Sequence, residues 1–402
     1  MKILVLTPRP LWPVHDGGTV ATVRCASGLA AAGARVTVLA MITGKHRSHG
    51  MPSPGWKPEY VTDYITVPVD TRIRPLPMLL NLFFSREPYD LSRFRSQEYS
   101  ETLRAVLDGN QFDLVQCEGP SFALYLGQIK KQTSVPVVLR AHNLEHMIRE
   151  QLAANALNPV RKSYLANLAR RLMALEMKAA RQFDAVVPIS EQDALWFRSV
   201  TDERPVFLSE TGAEEASFLK EPPAEHPRVG FIGAMNWQPN TEGLRWFITQ
   251  VWPLVTEKIP ASTLCVAGRG LNTGTLLPGG HNIINAGEPD NARAFIASNH
   301  VMIAPLFTGS GLRIKIIDAL SAGRPVVATP LAAQGIDASE GMAITVAEDA
   351  GSFSSALIRY LDNQSFRSSA GMEAVRLVKQ RYDNSTLTAS LLRFYTELAH
   401  GS

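Results

Sequence analysis

Residues 300–329 constrain the fold of this chain more than any other stretch. His300–Phe307 is an apolar run that reads as a strand, Gly309-Ser310-Gly311 breaks it, a helical pattern runs to Gly323, and Pro325 opens a second strand. This is the outline of a buried strand–helix–strand unit. Glycines at the strand-to-helix turn let a ligand approach the backbone. The free N–H groups of the helix's first turn then face that ligand, and the helix dipole favours negative charge there. On a helical projection from Gly311, Lys315, Asp318 and Ala322 fall on one stripe, and Leu312, Ile316 and Leu320 fall on the opposite, core-facing side. A lysine there suits a phosphate and a carboxylate suits a sugar hydroxyl. The same pattern also fits an ordinary unit with a solvated Lys–Asp pair.

At 402 residues the chain exceeds what one core usually supports, so two domains are expected. A hydrophobic content of 45% with 19% charged residues describes a soluble globular protein. Its three cysteines, Cys25, Cys117 and Cys265, are far apart, with neither disulfide nor metal spacing, which suits a reducing cytosol. The N-terminal Met1–Pro10 reads as a strand rather than a signal peptide, and the run Met78–Phe84 is too short to span a bilayer. A cytoplasmic protein is expected.

Short apolar strands alternate with helical patterns throughout, the mark of α/β architecture with parallel sheets. Strands are predicted at Lys2–Thr7, Arg35–Ile42, Tyr64–Val69, Phe112–Cys117, Pro136–Ala141 and Phe183–Ile189. A helix is predicted from Thr19 to Ala32, and a long helical stretch over Glu145–Arg181, broken near Asn158-Pro159. Ser190-Glu-Gln-Asp193 is a capping box opening the next helix. Residues 204–228, with Pro205, Pro222, Pro223 and Pro227, lose this periodicity and read as a linker. The rhythm then restarts, with strands at Arg228–Ala234, Ser262–Ala267, Asn282–Asn285, His300–Pro305, Pro325–Thr329 and Ala343–Val346, and a helix from Thr241. The domains are therefore placed at 1–205 and 206–384, with terminal helices over about 385–400. Two such domains are expected to face each other across a ligand-binding cleft.

Net charge is +3, unevenly placed. Arg140–Arg181 carries eight basic residues and three acidic ones. That excess fits either a solvated helix face or an edge that meets anionic lipid headgroups or a phosphorylated acceptor. Arg72–Arg86, apolar between arginines, fits a membrane interface or a loop folded onto the core.

Several loops carry chemistry-bearing residues. Gly17-Gly18 opens the first helix without the G-x-G-x-x-G pattern, and no acidic residue follows the second strand as a ribose clamp would, so a nicotinamide enzyme fits poorly. His142 stands at the tip of a strand, where ligands of α/β sheets collect. His142-Asn-Leu-Glu-His146 matches H-x-x-E-H, but zinc binding needs both histidines on one helical face, and His142 ends a strand. Gly233-Ala-Met-Asn-Trp-Gln-Pro-Asn240 is a second candidate phosphate loop. Gly268-Arg269-Gly270 ends another strand, with Arg269 in reach of a phosphate or simply on the surface.

Taken in order, these marks resemble glycosyltransferase family 4, the "group 1" glycosyltransferases with the GT-B fold of two Rossmann-like, doubly wound parallel-sheet domains. The matching residues are Gly17-Gly18, Leu139–Glu145, Val187–Ser190, Gly233 with Trp237 and Pro239-Asn240, Gly268, and Gly309–Ala319 followed by Gly323–Val327. The resemblance implies transfer of a sugar from a nucleoside-diphosphate donor to a hydroxyl of a glycan or lipid-linked acceptor, with retention and with no bound metal or cofactor, the nucleotide-sugar being a substrate. It places the acceptor on the first domain and the nucleotide on the second. The basic first domain suits an acceptor of cell-surface polysaccharide synthesis and is compatible with peripheral contact at the inner face of an anionic membrane, and no nucleic-acid partner is expected. Residue by residue, Gly17 and Gly18 would lie against the donor phosphate or sugar, His142 would hydrogen-bond the donor sugar or the acceptor region, and Gly233, Asn240, Gly268, Arg269, Gly309, Ser310, Gly311 and Leu312 would lie around the donor. Lys315, with Arg313, would neutralise the diphosphate, and Asp318 would bind ribose hydroxyls. On a helix beginning at Gly311, Arg313 projects toward the core and is the weaker candidate. Two departures are plain: the first acid of the family's pair, eight positions before Asp318, is Ser310 here, and the basic residue many members carry in the first loop of the second domain is replaced by the Pro239-Asn240 region. The missing acid keeps open a nucleotide-sugar-binding subunit without turnover, and an epimerase of the same fold is a further alternative.

Overall fold

The computed structural model describes residues 1–14, 16–44, 55–220, 226–271, 282–309, 311–336 and 341–401. They form two compact units, Met1–Thr211 with Asn384–Ser402, and Gly212–Asp383.

The first unit is built on six parallel strands: β1 (Lys2–Thr7), β2 (Arg35–Ile42), β3 (Asp63–Pro68), β4 (Leu114–Glu118), β5 (Val137–Ala141) and β6 (Ala185–Pro188). Their spatial order is β3-β2-β1-β4-β5-β6. Every residue of β4, β5 and β6 is buried, and so is all of β1 and β2 except the first position. Helices therefore cover both faces, which is why these strands read as continuous apolar runs rather than alternating ones. The helix after β1 runs from Gly17 to Ala31, two residues earlier than the periodicity predicts, because the Asp16 carboxylate caps it by accepting from Thr19 N–H at 2.8 Å. The long helical stretch breaks where expected: Glu145–Ala154 ends, Asn158 caps the next helix, and Pro159 opens it. The terminal helix Asn384–His400 packs against Gly17–Ala31, with Thr388 so close to Gly28 that a Cβ there would lie 2.5 Å away.

The second unit repeats the plan with β7 (Arg228–Ile232), β8 (Thr263–Ala267), β9 (Ile283–Asn285), β10 (Val301–Ala304), β11 (Val326–Ala328) and β12 (Ile344–Val346), ordered β12-β11-β10-β7-β8-β9. All five pairings are parallel. Its core gathers Val229, Phe231, Val266, Ile303, Phe247, Phe353 and Tyr360. The helix placed from Thr241 begins at Gln238, with Pro239 in its first turn.

Each sheet starts in the middle and winds outward both ways, so its strand order switches between β1 and β4, and between β7 and β10. Ligands of open α/β sheets bind outside the carboxyl ends of the strands at such a switch.

Candidate active site

In the second unit the loop after β8 packs backbone against backbone on the loop after β7, and the helix after β7 does the same on the loop after β10, and glycine is what permits it. A Cβ on Gly268 (φ +139°) would sit 1.9 Å from the Gly233 carbonyl oxygen. One on Gly243 would sit 1.7 Å from the Pro305 carbonyl oxygen. One on Gly233 would meet the Asn240 carboxamide at 2.7 Å. Gly233 and Gly268 are thus spacers between loops. Arg269 is half-buried in the β8 loop, its carbonyl accepting from Met235 N–H at 2.8 Å, and its buried Nε has no hydrogen-bond partner among the described residues.

The turn after β10 differs from the sequence expectation. Gly309 (φ +116°) and Gly311 (φ +80°) adopt conformations that favour glycine, but the helix spans Ile314–Ser321 and not from Gly311. Gly309, Gly311 and Leu312 precede it as loop, so their amides are not the helix's first turn. The amides of Ile314 and Ile316 are already donated to Leu312 O (3.1 Å) and Arg313 O (2.8 Å). Ser310 lies outside the described residues. The late start re-aims Arg313. Instead of following a helical projection into the core, its guanidinium lies beside Gly309, where a Cβ would be 3.1 Å from Nη2, and 6.0 Å from the Trp237 ring centroid. Leu312 is buried, as projected. Lys315 and Asp318 are the two half-buried positions of an otherwise buried helix, but Ala322, placed on their stripe, is fully buried.

Lys315 Nζ donates to Asn240 Oδ1 at 2.8 Å and stands 4.7 Å from the Phe231 ring centroid. Asn240 Nδ2 donates to Ala234 O at 2.9 Å, so the carboxamide is fixed as an acceptor toward the lysine. Asn240 is buried and holds Lys315 in place. Burial, then the neighbouring Arg313 charge, bring the Lys315 pKa down to about 7. Two cationic side chains thus stand together at the carboxyl ends of β7 and β10, the chemistry of a phosphate site. Sequence reasoning missed Thr308, whose buried hydroxyl has no partner among the described residues, and undervalued Trp237.

In the first unit, Gly17 and Gly18 open the helix after β1. Gly18 leaves room for Arg9, since a Cβ would come within 2.3 Å of its Nη1. Arg9 pairs with Asp16 at 2.7 Å. Burial pushes the Asp16 carboxyl up, but Arg9 and the Thr19 amide outweigh it and hold it at about 2. His142 follows β5 directly, and its Nε2 meets Glu118 at the end of β4. Glu118 Oε2 also accepts from Thr22 Oγ1 (3.1 Å) and Arg140 Nη1 (3.3 Å), and Oε1 accepts from Gln116. Burial alone would raise the Glu118 pKa, but Arg140 and His142 bring it to about 2. The ionised carboxylate only accepts, so His142 donates from Nε2, and burial keeps the ring neutral by lowering its pKa. Tyr395 of the terminal helix donates to Gln116 Oε1 at 2.8 Å, extending the network. Glu118 carried no recognisable signal, since it stands in a buried strand. His146 Nδ1 lies 2.6 Å from the buried carboxylate of Glu176, so the two histidines of the H-x-x-E-H spacing serve different carboxylates.

Comparison with known proteins settles the family. Residues 16–205 match the model described as "Glycosyl transferase 4-like domain", and residues 226–363 match "Glycosyl transferases group 1".

The chain belongs to the group 1 glycosyltransferases.

This glycosyltransferase is 25% identical over 174 residues to an "Uncharacterized 44.6 kDa protein in cps region" of Klebsiella pneumoniae, a match spanning 41% of this chain and 45% of that one. The chain thus aligns with under half the length of its curated relative. Among solved structures, sucrose-phosphate synthase from Thermosynechococcus elongatus superposes with a TM-score of 0.74 at 15% identity, over 100% of both chains. HepE of Anabaena, in complex with UDP and glucose, gives 0.64 at 12% identity over 99% of this chain and 100% of that one. At such identities the likeness shows the fold, GT-B, and nothing finer.

Proposed function

We propose that this glycosyltransferase moves a sugar from a nucleoside diphosphate to a hydroxyl of a glycan or lipid-linked acceptor in cell-surface polysaccharide synthesis, with retention at the anomeric carbon and without a metal ion. The observation that carries the reading is the cation pair of Lys315 and Arg313, one fixed by Asn240 and the other beside Gly309 and Trp237, at the switch point of the second sheet. The bond between the anomeric carbon and the diphosphate oxygen breaks, and the departing diphosphate gains a full negative charge at that oxygen. Two positive side chains already in place stabilise that charge without reorganising. The acceptor oxygen bonds to the same face of the sugar, and its proton passes to a phosphate oxygen of the leaving group.

Asp318 is assigned to the ribose hydroxyls, because it is half-buried one turn beyond Lys315. His142, neutral and oriented by Glu118, is assigned to the transferred sugar on the first unit. Uridine diphosphate is the first donor nucleotide to test, since the HepE structure holds it. The basic excess of Arg140–Arg181 supports an anionic acceptor.

A panel of nucleotide-sugars screened for thermal stabilisation identifies the donor, because a ligand that binds only the native state raises the melting point. Release of the nucleoside diphosphate in the presence of acceptor then reads transfer. The reading requires that Lys315→Met lose transfer while melting like the parent; a fully active variant rejects it.

A further inference from the structure

The helix Pro75–Phe84 (PLPMLLNLFF) has nine apolar residues out of ten and buries none of them. Leu76 is 68% exposed, Phe83 71% and Phe84 84%, and Ile73 just ahead is 65% exposed. An apolar patch of this kind on a protein surface marks an interaction site.

The helix is not loosely attached. At its start the Tyr89 hydroxyl accepts from Arg74 N–H at 2.9 Å and donates to Arg74 O at 3.1 Å. At its end Arg171 donates to Asn81 O (3.1 Å) and Leu82 O (2.6 Å), covering the last carbonyls. Polar contacts at both ends hold the element while its apolar flank stays outward.

Its charge surroundings select the occupant. No acidic residue occurs from Thr71 to Arg86, and Arg72, Arg74 and Arg86 are all exposed. Asp70 pairs with Arg72 and Arg74, each at 2.9 Å. The helix that supplies Arg171, Pro159–Gln182, carries six basic residues and a single acid, the buried Glu176. An apolar strip between cations is the composition of a segment lying in the interface of an anionic bilayer. A second copy of the same surface would bring like charges together. At ten residues the helix is about 15 Å long, half of what a span requires.

We propose that Pro75–Phe84 is an interfacial anchor that seats the first unit on an anionic phospholipid surface, with Leu76, Leu79, Leu80, Phe83 and Phe84 entering the acyl boundary and the arginines meeting headgroup phosphates. This goes beyond the transfer reaction, and its test reads vesicle binding and not turnover, so either reading can fail alone.

The test is co-sedimentation of the full chain with vesicles of phosphatidylglycerol and phosphatidylcholine in equal parts, and with phosphatidylcholine alone. The parent protein is expected to pellet with the mixed vesicles and to bind the neutral ones at least tenfold less. The triple variant Leu79→Ser, Phe83→Ser, Phe84→Ser, changed only at exposed positions, is expected to melt like the parent and to stay in the supernatant. A parent that does not bind, a variant that binds as well as the parent, or equal binding to neutral vesicles overturns the proposal. A parent that self-associates without binding vesicles, and becomes monomeric in the variant, also overturns it.

Discussion

Lys315 Nζ donates to Asn240 Oδ1 at 2.8 Å, a bond between side chains 75 positions apart. It ties the helix after β10 to the first turn of the helix after β7, the two strands between which the strand order switches. Held by a neutral acceptor, the partly desolvated Lys315 ammonium has no balancing carboxylate in its electrostatic surroundings among the described residues. That is the state in which an arriving anion gains most.

The lowered pKa of Lys315 therefore predicts proton uptake on ligand binding. With a pKa of about 7, the free lysine is mostly neutral at pH 8, and a bound diphosphate draws it back to the charged form. Calorimetry of nucleoside diphosphate binding in buffers of different ionisation enthalpy is expected to show close to one proton taken up. Affinity is expected to fall about tenfold per pH unit above 7. A pH-independent affinity between pH 7 and 9 counts against the assignment. The unliganded fold behaves oppositely to a paired lysine. Between about pH 7 and 10.5 the unfolded chain binds the extra proton, so this group's contribution to stability rises with pH across that window.

Glu118 gives the opposite sign. Its folded pKa of about 2 lies below the ordinary 4.5, so the stability it contributes is present above pH 4.5 and is lost as pH falls toward 2. The shift corresponds to roughly 3 kcal/mol. Glu118→Gln leaves Arg140 buried without a counter-charge, and a loss of about 3–5 kcal/mol is expected in urea denaturation at pH 7. His142→Asn removes only the ring and is expected to lower transfer more than stability.

Gly268→Ala is expected to destabilise the second unit by about 1–3 kcal/mol, since the position combines φ +139° with a Cβ site 1.9 Å from the Gly233 carbonyl oxygen. Thermal unfolding reads the loss. Gly33→Ala meets nothing within 4 Å and, at φ +98°, is expected to cost only backbone strain. Equal melting points for the two variants would contradict the packing described for the β8 loop.

Much of this was legible in the sequence for a physical reason. Strands buried on both faces write themselves as apolar runs, and Gly17-Gly18, Gly233, Gly268 and Gly309 mark where the chain leaves them. Asn158-Pro159 announced its helix break through local chemistry alone. What stayed hidden depends on tertiary distance. Glu118 is one polar residue in a buried strand, meaningful only because β5 brings Arg140 and His142 beside it. The helix at Ile314 starts three residues later than a periodicity argument places it, because Gly309 and Gly311 take positive φ and prolong the loop. That delay is what turns Arg313 from a core-facing side chain into a neighbour of Trp237. From sequence, Arg72–Arg86 fits either a membrane interface or a loop folded onto the core, because apolar composition alone does not say whether anything covers it.

The most direct test is a crystal structure with a bound nucleoside diphosphate, uridine diphosphate first. The distal phosphate is expected within hydrogen-bonding distance of Lys315 Nζ and of the Arg313 guanidinium, with the ribose hydroxyls at Asp318. A diphosphate bound elsewhere in the protein, with Lys315 still held only by Asn240, would contradict that placement.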